Sequence, residues 1–254
     1  LTEITKGNSY TDYQLAQIYD PINEADHDIQ YYVKLATEIS AQSDRKLHVL
    51  DVGCGTGWLA VELAKLGHKV EGIEPAFGML KVANNRPDSD LVNWHQETGS
   101  SFNLPNQFDL IVMTGHVFQV FLTDDEIFSV FDNLYAHLKS GGMLAFENRN
   151  IEYRSWDRWT PDETRETVSV PDVGDVTYWH DIIEEKGELI TFATYFKFPD
   201  GREYRDDNNL RFLPQQKMKQ MLEDTGFRGL EWYGDWDQRP FDPSQREIIV
   251  HATK

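Results

Sequence analysis

Three glycines at alternate positions, Gly53, Gly55 and Gly57, follow the run Val49-Leu50-Asp51-Val52 and precede a stretch that reads as helix. Glycine reaches positive φ without strain and puts no side chain between backbone and ligand, so a junction of this kind lets a ligand lie across strand ends. A tight turn with no ligand is the plainer reading of the same residues. Glu74 weighs against it. It stands 23 positions after Asp51, at the end of the next apolar run, where a carboxylate can reach the hydroxyl pair of a ribose. Its own alternative is a solvated loop carboxylate. Two phosphate-binding schemes are disfavoured: a dinucleotide fingerprint begun at Gly53 would need glycine where Trp58 stands, and no GxxxxGK phosphate loop occurs.

The elements that must position these residues alternate in type. Residues 47 to 52 read as a short buried strand, and Trp58 to Leu66 as a helix closed by Gly67. A strand ending at Glu74, a helix from Ala76 to Asn85, a strand at Leu91 to Trp94 and a strand at Phe108 to Thr114 follow. Thr123 and Glu126 have capping-box spacing, which starts a helix running through Leu138, and Gly141-Gly142 turn into a strand at Met143 to Glu147. Upstream, residues 13 to 40 read as helical with a division at Pro21. Strand and helix alternating over 45 to 147 predict an α/β fold, a Rossmann-like three-layer sandwich around a mainly parallel sheet. From Thr177 to Phe212 the period changes to antiparallel strands, with turns near Glu185-Lys186-Gly187 and Pro199-Asp200-Gly201. A helix at Pro214 to Thr225 and strands at Phe227 to Tyr233 and Arg246 to Ala252 complete the main sheet. The expected division is an N-terminal helical segment and core over 1–150, an inserted antiparallel cap over 151–212, and C-terminal elements over 213–254 that bring the sheet to seven strands.

Composition narrows the partners. With 24 basic against 43 acidic residues the formal charge is −19, a field that opposes phosphate backbones and anionic lipid and admits neutral or cationic molecules. Nucleic acid is therefore a disfavoured partner. No apolar run is long enough to span a bilayer, and the first twenty residues lack the apolar core of a secretory signal. Cys54 is the only cysteine, so a reducing cytoplasm is the expected setting. The eight histidines show no ligand spacing that predicts a metal. Nothing in the composition sets the oligomeric state.

The segments VLDVGCGTG at 49–57, VEGIEP at 70–75, LPNQFDLIVMT at 104–114 and LKSGGMLAFENRN at 138–150 together resemble the class I methyltransferases that use S-adenosylmethionine. The match covers residues 45 to 150 well and the remainder loosely. MTGHVFQ at 113–119 and ENRN at 147–150 are similar to a branch of small bacterial methyltransferase-domain proteins. The resemblance implies that the turn with Gly53, Cys54, Gly55 and Gly57 lies against the methionyl part of the cofactor, that Asp51 helps to hold its amine, and that Glu74 binds the ribose hydroxyls. It also implies that Ile73 and Pro75 border the adenine and that Gly115 passes close to the cofactor's amino-acid end. Family members often place an acid soon after the third strand to receive the adenine amine; here that position is Thr98, just after Glu97. The product would be S-adenosylhomocysteine.

Methyl transfer from a sulfonium needs alignment and exclusion of water more than a protein nucleophile. A protonated amine or a hydroxyl acceptor also needs a base, and His116, following the fourth strand, is the first candidate; orienting backbone or cofactor is its alternative. Arg149 and Asn150 end the fifth strand on the same edge and could bind a polar acceptor, while Arg149 could instead neutralise Glu147 or pin the cap. Gln119 is a further rim candidate. Tyr153, Trp156, Trp159, Tyr178, Trp179 and His180 cluster in the expected cap; Trp156 and Trp179 are expected to line an aromatic acceptor pocket, and core packing is the other use for such residues. Tyr13 and Tyr19 could close over the cofactor. The preferred reading is methyl transfer to the nitrogen or oxygen of a small molecule. A protein or tRNA methyltransferase and a non-catalytic cofactor-binding protein are the alternatives.

Overall fold

A computed structural model describes residues 4–23 and 26–254. Its centre is a seven-stranded sheet. In chain order, β1 (Thr5–Lys6), α1 (Tyr13–Ala16), α2 (Tyr19–Ile22) and α3 (His27–Ser43) come first. The alternating core follows as β2 (His48–Val52), α4 (Trp58–Lys65), β3 (Lys69–Ile73), α5 (Phe77–Asn85), β4 (Val92–His95), β5 (Phe108–Met113), α6 (Asp124–His137) and β6 (Leu138–Arg149). Next come α7 (Pro161–Thr164), β7 (Glu166–Val170), β8 (Gly174–Lys186), β9 (Leu189–Lys197) and β10 (Glu203–Arg211), then α8 (Gln215–Thr225), β11 (Arg228–Tyr233) and β12 (Glu247–Thr253).

The main sheet runs β11-β12-β6-β5-β2-β3-β4, parallel except where β12 pairs with β6 and β11. Alternate residues of each buried strand serve opposite faces. Leu50, Val52, Ile111, Met113, Leu144, Phe146, Ile248 and Val250 pack on α6 and α8. Val49, Val70, Leu110, Val112, Ala145 and Ile249 pack on α3 and α4. This is a Rossmann-like three-layer α/β sandwich. Thr123 caps α6 as its spacing predicts: its side chain accepts from the Glu126 amide, and the Glu126 carboxylate accepts from the Thr123 amide at 2.9 Å.

A second sheet, β1-β10-β9-β8-β7, joins the chain between β6 and α8 to the N-terminal strand. The expected turns near residues 186 and 200 connect β8, β9 and β10. β7 and the parallel pairing of β1 with β10 were not expected, because a two-residue strand carries no periodicity to read. One face of this sheet, with Val176, Tyr178, Phe196 and Phe198, packs on Leu15 and Ile18 of the N-terminal segment. The expected helical stretch 13–40 is three helices, Pro21 lying within the second; residues 24 and 25 of it lie outside the described residues. No described helix is long and apolar enough to cross a membrane.

Candidate active site

The glycine turn is built by its neighbours. The amides of Gly53 and Cys54 both donate to the Ile73 carbonyl, at 2.8 and 3.1 Å, which ties the turn to the end of β3. Gly53, Gly55 and Gly57 all have positive φ. A Cβ at Gly53 would lie 2.7 Å from Val117, and one at Gly57 2.5 Å from Trp94, whereas a Cβ at Gly55 would meet nothing within 4 Å. The outer glycines are therefore demanded by close packing, and the middle one faces open space. Cys54 contributes backbone only. Its thiol is buried, close to the Cα of Gly72, and burial pushes its pKa up.

Two carboxylates flank that space. Glu74 is 7 % exposed and accepts from the Gly55 amide at 3.1 Å and the Ala76 amide at 2.8 Å, one through each oxygen. A carboxylate oxygen can accept twice, so each retains capacity for a hydroxyl. Asp51 is fully buried and neither of its oxygens has a hydrogen-bond partner among the described residues. Burial, reinforced by Glu74 and Asp28, lifts its carboxyl to about 7. An orphaned buried carboxylate is costly, and an ammonium beside it would satisfy it. This pair and the open Gly55 fit the amine and ribose of S-adenosylmethionine.

An N-terminal strap lies over the turn. Thr56 donates its hydroxyl to Asp20 at 2.6 Å, and Arg86 ties the Thr56 carbonyl to the Asp20 carboxylate. The Met79 amide donates to the Tyr10 carbonyl at 3.0 Å, bringing the rings of Tyr10 and Tyr19 together at 6.5 Å. Tyr13 lies instead under Lys81 on α5, 3.9 Å from its ammonium. Burial raises the phenol of Tyr10 to about 12, although 38 % of its surface stays accessible, and raises that of Tyr19 further. Tyr10 thus keeps an accessible edge, and Tyr19 is half-buried.

The rim of the sheet beyond this strap is formed by the ends of β5 and β6 and the start of β12. Gly115 and His116 both adopt positive φ at the end of β5, and a Cβ at Gly115 would meet nothing within 4 Å. The His116 amide donates to Glu147 at 2.7 Å. Glu147 also receives the Tyr32 hydroxyl, and burial together with the Asp28 carboxylate lifts it to about 8. The His116 ring meets Glu247 through Nε2 at 2.8 Å. Burial and Arg149 lower the histidine below its ordinary value; burial opposes ionisation of Glu247, but His116 and Arg149 outweigh it and hold that carboxyl low. A carboxylate only accepts, so Nε2 carries the proton and the lone pair falls on Nδ1. That atom has no hydrogen-bond partner among the described residues and is not sealed from solvent.

Arg149 ends β6. One guanidinium nitrogen donates to the Gln119 carboxamide oxygen at 2.8 Å, and the group lies 5.6 Å from the Trp159 ring centroid. It does not neutralise Glu147: no carboxylate lies within 4.0 Å of it among the described residues. Gln119 is fully buried and orients Arg149 rather than reaching the surface of the rim. Asn150 turns away from it; its amide donates to the carbonyls of Pro243 and Gln245, both at 2.8 Å.

The two expected tryptophans are also elsewhere. Trp156 is 2 % exposed, packs on Phe212 at 4.5 Å and belongs to the core beneath the second sheet. Trp179 lies on the opposite face of β8 from Tyr178 and His180, stacked on Tyr195 with Arg165 over its ring. Strand parity decides this: His180 shares its face with Phe192 and Trp159, and Trp179 cannot. Pro75 and Thr98 lie in the exposed loops after β3 and β4, with the Thr98 hydroxyl engaged by Ser101 at 2.6 Å.

A cavity of about 320 Å³ opens beside Tyr178 and His180. A larger one, about 420 Å³, lies near Lys69 and Asn106, toward the N-terminal ends of β3 and β5 and away from the glycine turn. Open parallel sheets bind at the opposite rim, where the carboxyl ends of the strands lie. No three histidine, cysteine or acidic side chains are grouped to hold a metal among the described residues.

The fold and the glycine turn at this rim are those of a Rossmann-like α/β enzyme. Residues 49–142 match the methyltransferase domain family model. The chain is 27 % identical over 242 residues to a putative methyltransferase of Geobacillus sp. (strain WCH70), covering 91 % of this chain and 95 % of that one. It is 22 % identical over 237 residues to the glycine/sarcosine N-methyltransferase of Aphanothece halophytica, covering 89 % and 80 %. The sugar N-methyltransferase of Streptoalloteichus sp. ATCC 53650 shares its fold, with a TM-score of 0.75 at 16 % identity over 100 % of this chain and 97 % of that one. The chain belongs to the class I S-adenosylmethionine-dependent methyltransferases, and S-adenosylmethionine is its cofactor.

Sequence reasoning missed Asp28, Glu147, Glu247, Tyr10 and the Asp20–Arg86 tie. Glu247 carried a legible signal, an acid at the start of the apolar run Ile248-Ile249-Val250. The others meet the site only through long-range packing.

Proposed function

We propose that the chain methylates a nitrogen atom of a small molecule bound between the strap, the rim of the main sheet and the second sheet. The observation that carries this reading is the His116–Glu247 pair, with a neutral ring whose Nδ1 makes no hydrogen bond among the described residues and is not sealed from solvent. An amine arrives protonated and is not nucleophilic until it loses one proton, which a neutral imidazole can accept; a hydroxyl asks for a far stronger base. Carboxylates at Asp28, Asp51, Glu74 and Glu247 around the rim, on a chain of charge −19, favour the arrival of a cation. The relatives named N-methyltransferases agree with this choice.

Bound S-adenosylmethionine supplies a methyl group on a positively charged sulfur. The remaining work falls to the chain's own residues. Asp51 and Glu74 would hold the cofactor's amine and ribose, and the space at Gly55 admits its backbone-like end. Tyr10 and Tyr19 would close over the bound acceptor and keep out water, which would otherwise compete and screen the rim charges. His116 holds the acceptor's proton at Nδ1 while Glu247 keeps the ring in that tautomer.

A labelled-methyl assay against paired amines and alcohols of matched size tests the assignment. Transfer to amines and not to the matched alcohols is the expected result. Transfer to alcohols alone, or only to peptides or tRNA, would overturn it.

A further inference from the structure

Arg149 is the arginine of the rim that no carboxylate reaches within 4.0 Å among the described residues. Nine of the twelve arginines form salt bridges among the described residues. The other three are Arg149, Arg165 and Arg228, and the last two are exposed. In a chain with 43 acidic residues, an enclosed arginine that no carboxylate reaches is out of keeping with its surroundings. Burial disfavours its charged form while Glu247, Tyr19 and Glu147 favour it from farther off, and guanidinium does not deprotonate in proteins, so it stays charged without a direct ion pair.

Its orientation is fixed. Gln119 accepts from one guanidinium nitrogen and is itself anchored on the Arg211 carbonyl, while Trp159 lies beside the guanidinium. The other guanidinium nitrogens make no hydrogen bond among the described residues and are not among the sealed polar atoms, so they are free to take a ligand at the rim near His116, His180 and Tyr19. A forked donor held rigidly with free N–H groups matches a carboxylate in a two-point contact.

The position of that fork relative to the base sets the shape of the ligand. Arg149 and Glu247 are direct partners across β6 and β12, so their side chains leave the same face with Cβ atoms about 5 Å apart. Glu247 in turn holds His116. Arg149 and His116 therefore both flank Glu247.

Resting on the N-methyltransferase reading above, we propose that the acceptor is a small amino acid, its carboxylate bound by Arg149 and its amine presented to His116. The cofactor also has a carboxylate, and a test must tell the two anions apart.

The test is a labelled-methyl assay with three matched series: amino acids and N-methyl amino acids, their carboxamides, and the corresponding amino alcohols. It is run with wild type, Arg149→Gln and Arg149→Lys, alongside calorimetry with S-adenosylhomocysteine. Wild type is expected to methylate the acids with kcat/KM about 10- to 150-fold above the amides, the worth of a charge-assisted hydrogen bond. In Arg149→Gln that preference collapses, and Arg149→Lys restores only part of it because ammonium lacks the fork. Affinity for S-adenosylhomocysteine stays within about twofold of wild type, since the cation serves the acceptor. Equal use of acids and amides by wild type, or no transfer to any series by protein that binds S-adenosylhomocysteine, would overturn the proposal and leave the cofactor assignment standing. Loss of S-adenosylhomocysteine binding in Arg149→Gln would hand the cation to the cofactor's carboxylate and overturn it equally. Failure of wild type itself to bind S-adenosylhomocysteine would remove both readings.

Discussion

Asp51→Asn should stabilise the ligand-free protein at alkaline pH while weakening the cofactor. Asp51 is buried without a hydrogen-bond partner, and its carboxyl is lifted from 3.8 to about 7 by burial and by Glu74 and Asp28. A carboxyl raised in the folded state is no burden below its unfolded value, where both states hold the proton. The burden grows as pH climbs from about 4 to about 7 and is constant above that. At about 1.36 kcal/mol per pH unit it reaches about 4 kcal/mol, of which about 2 to 3 kcal/mol accrues between pH 5 and pH 8. Asparagine carries no such dependence, and the cost of burying its amide is the same at both pH values and cancels. Urea unfolding of both proteins at pH 5 and pH 8 reads the quantity directly: the variant should gain about 2 to 3 kcal/mol on wild type over that interval. S-adenosylhomocysteine affinity should fall about 10- to 150-fold, the worth of a charge-assisted hydrogen bond. A stability difference that does not change between pH 5 and pH 8 would refute the reasoning, because it would mean that Asp51 is compensated within the fold.

Glu74→Ala should raise the S-adenosylhomocysteine dissociation constant by at least about tenfold in calorimetry, as a carboxylate accepting from two hydroxyls is lost; unchanged affinity would remove Glu74 from the ribose. For wild type, kcat/KM should rise with pH through a value below 6.5, since burial and Arg149 pull His116 down and the ring acts only when unprotonated. His116→Gln should lose that limb and about 10²- to 10⁴-fold in kcat with cofactor affinity retained; an intact profile would exclude proton transfer. Trp156→Ala should cost about 3–5 kcal/mol in chemical unfolding, whereas Trp179→Ala, on the outer face of β8, should change acceptor KM by less than about twofold.

Most of the main sheet was readable because its signals are local. Leu50, Ile111 and Val250 lie one step in parity from Val49, Leu110 and Ile249, so each strand reads as a continuous apolar run buried on both faces. The Thr123–Glu126 box starts α6 within four residues of chain. The glycine turn and Glu74 were legible for the same reason: a positive φ and a carboxylate at a strand end are marked by residue type and spacing alone. The acceptor side was not. Trp156 and Trp179 look alike in sequence, and only the packing of Phe212 under one and the pleat of β8 beneath the other separate core from outer face.

From the residues alone came the order of strands and helices in the main sheet, the glycine turn and the carboxylate beside it, since each depends on neighbours within a few positions. Only the folded chain decided that Glu247 orients His116 across 131 positions, that Tyr32 and His116 share Glu147, and that Arg149 meets no carboxylate. Burial and pairing of a charge are properties of everything packed around it, and at this rim those surroundings come from strands that meet only after the sheet has formed.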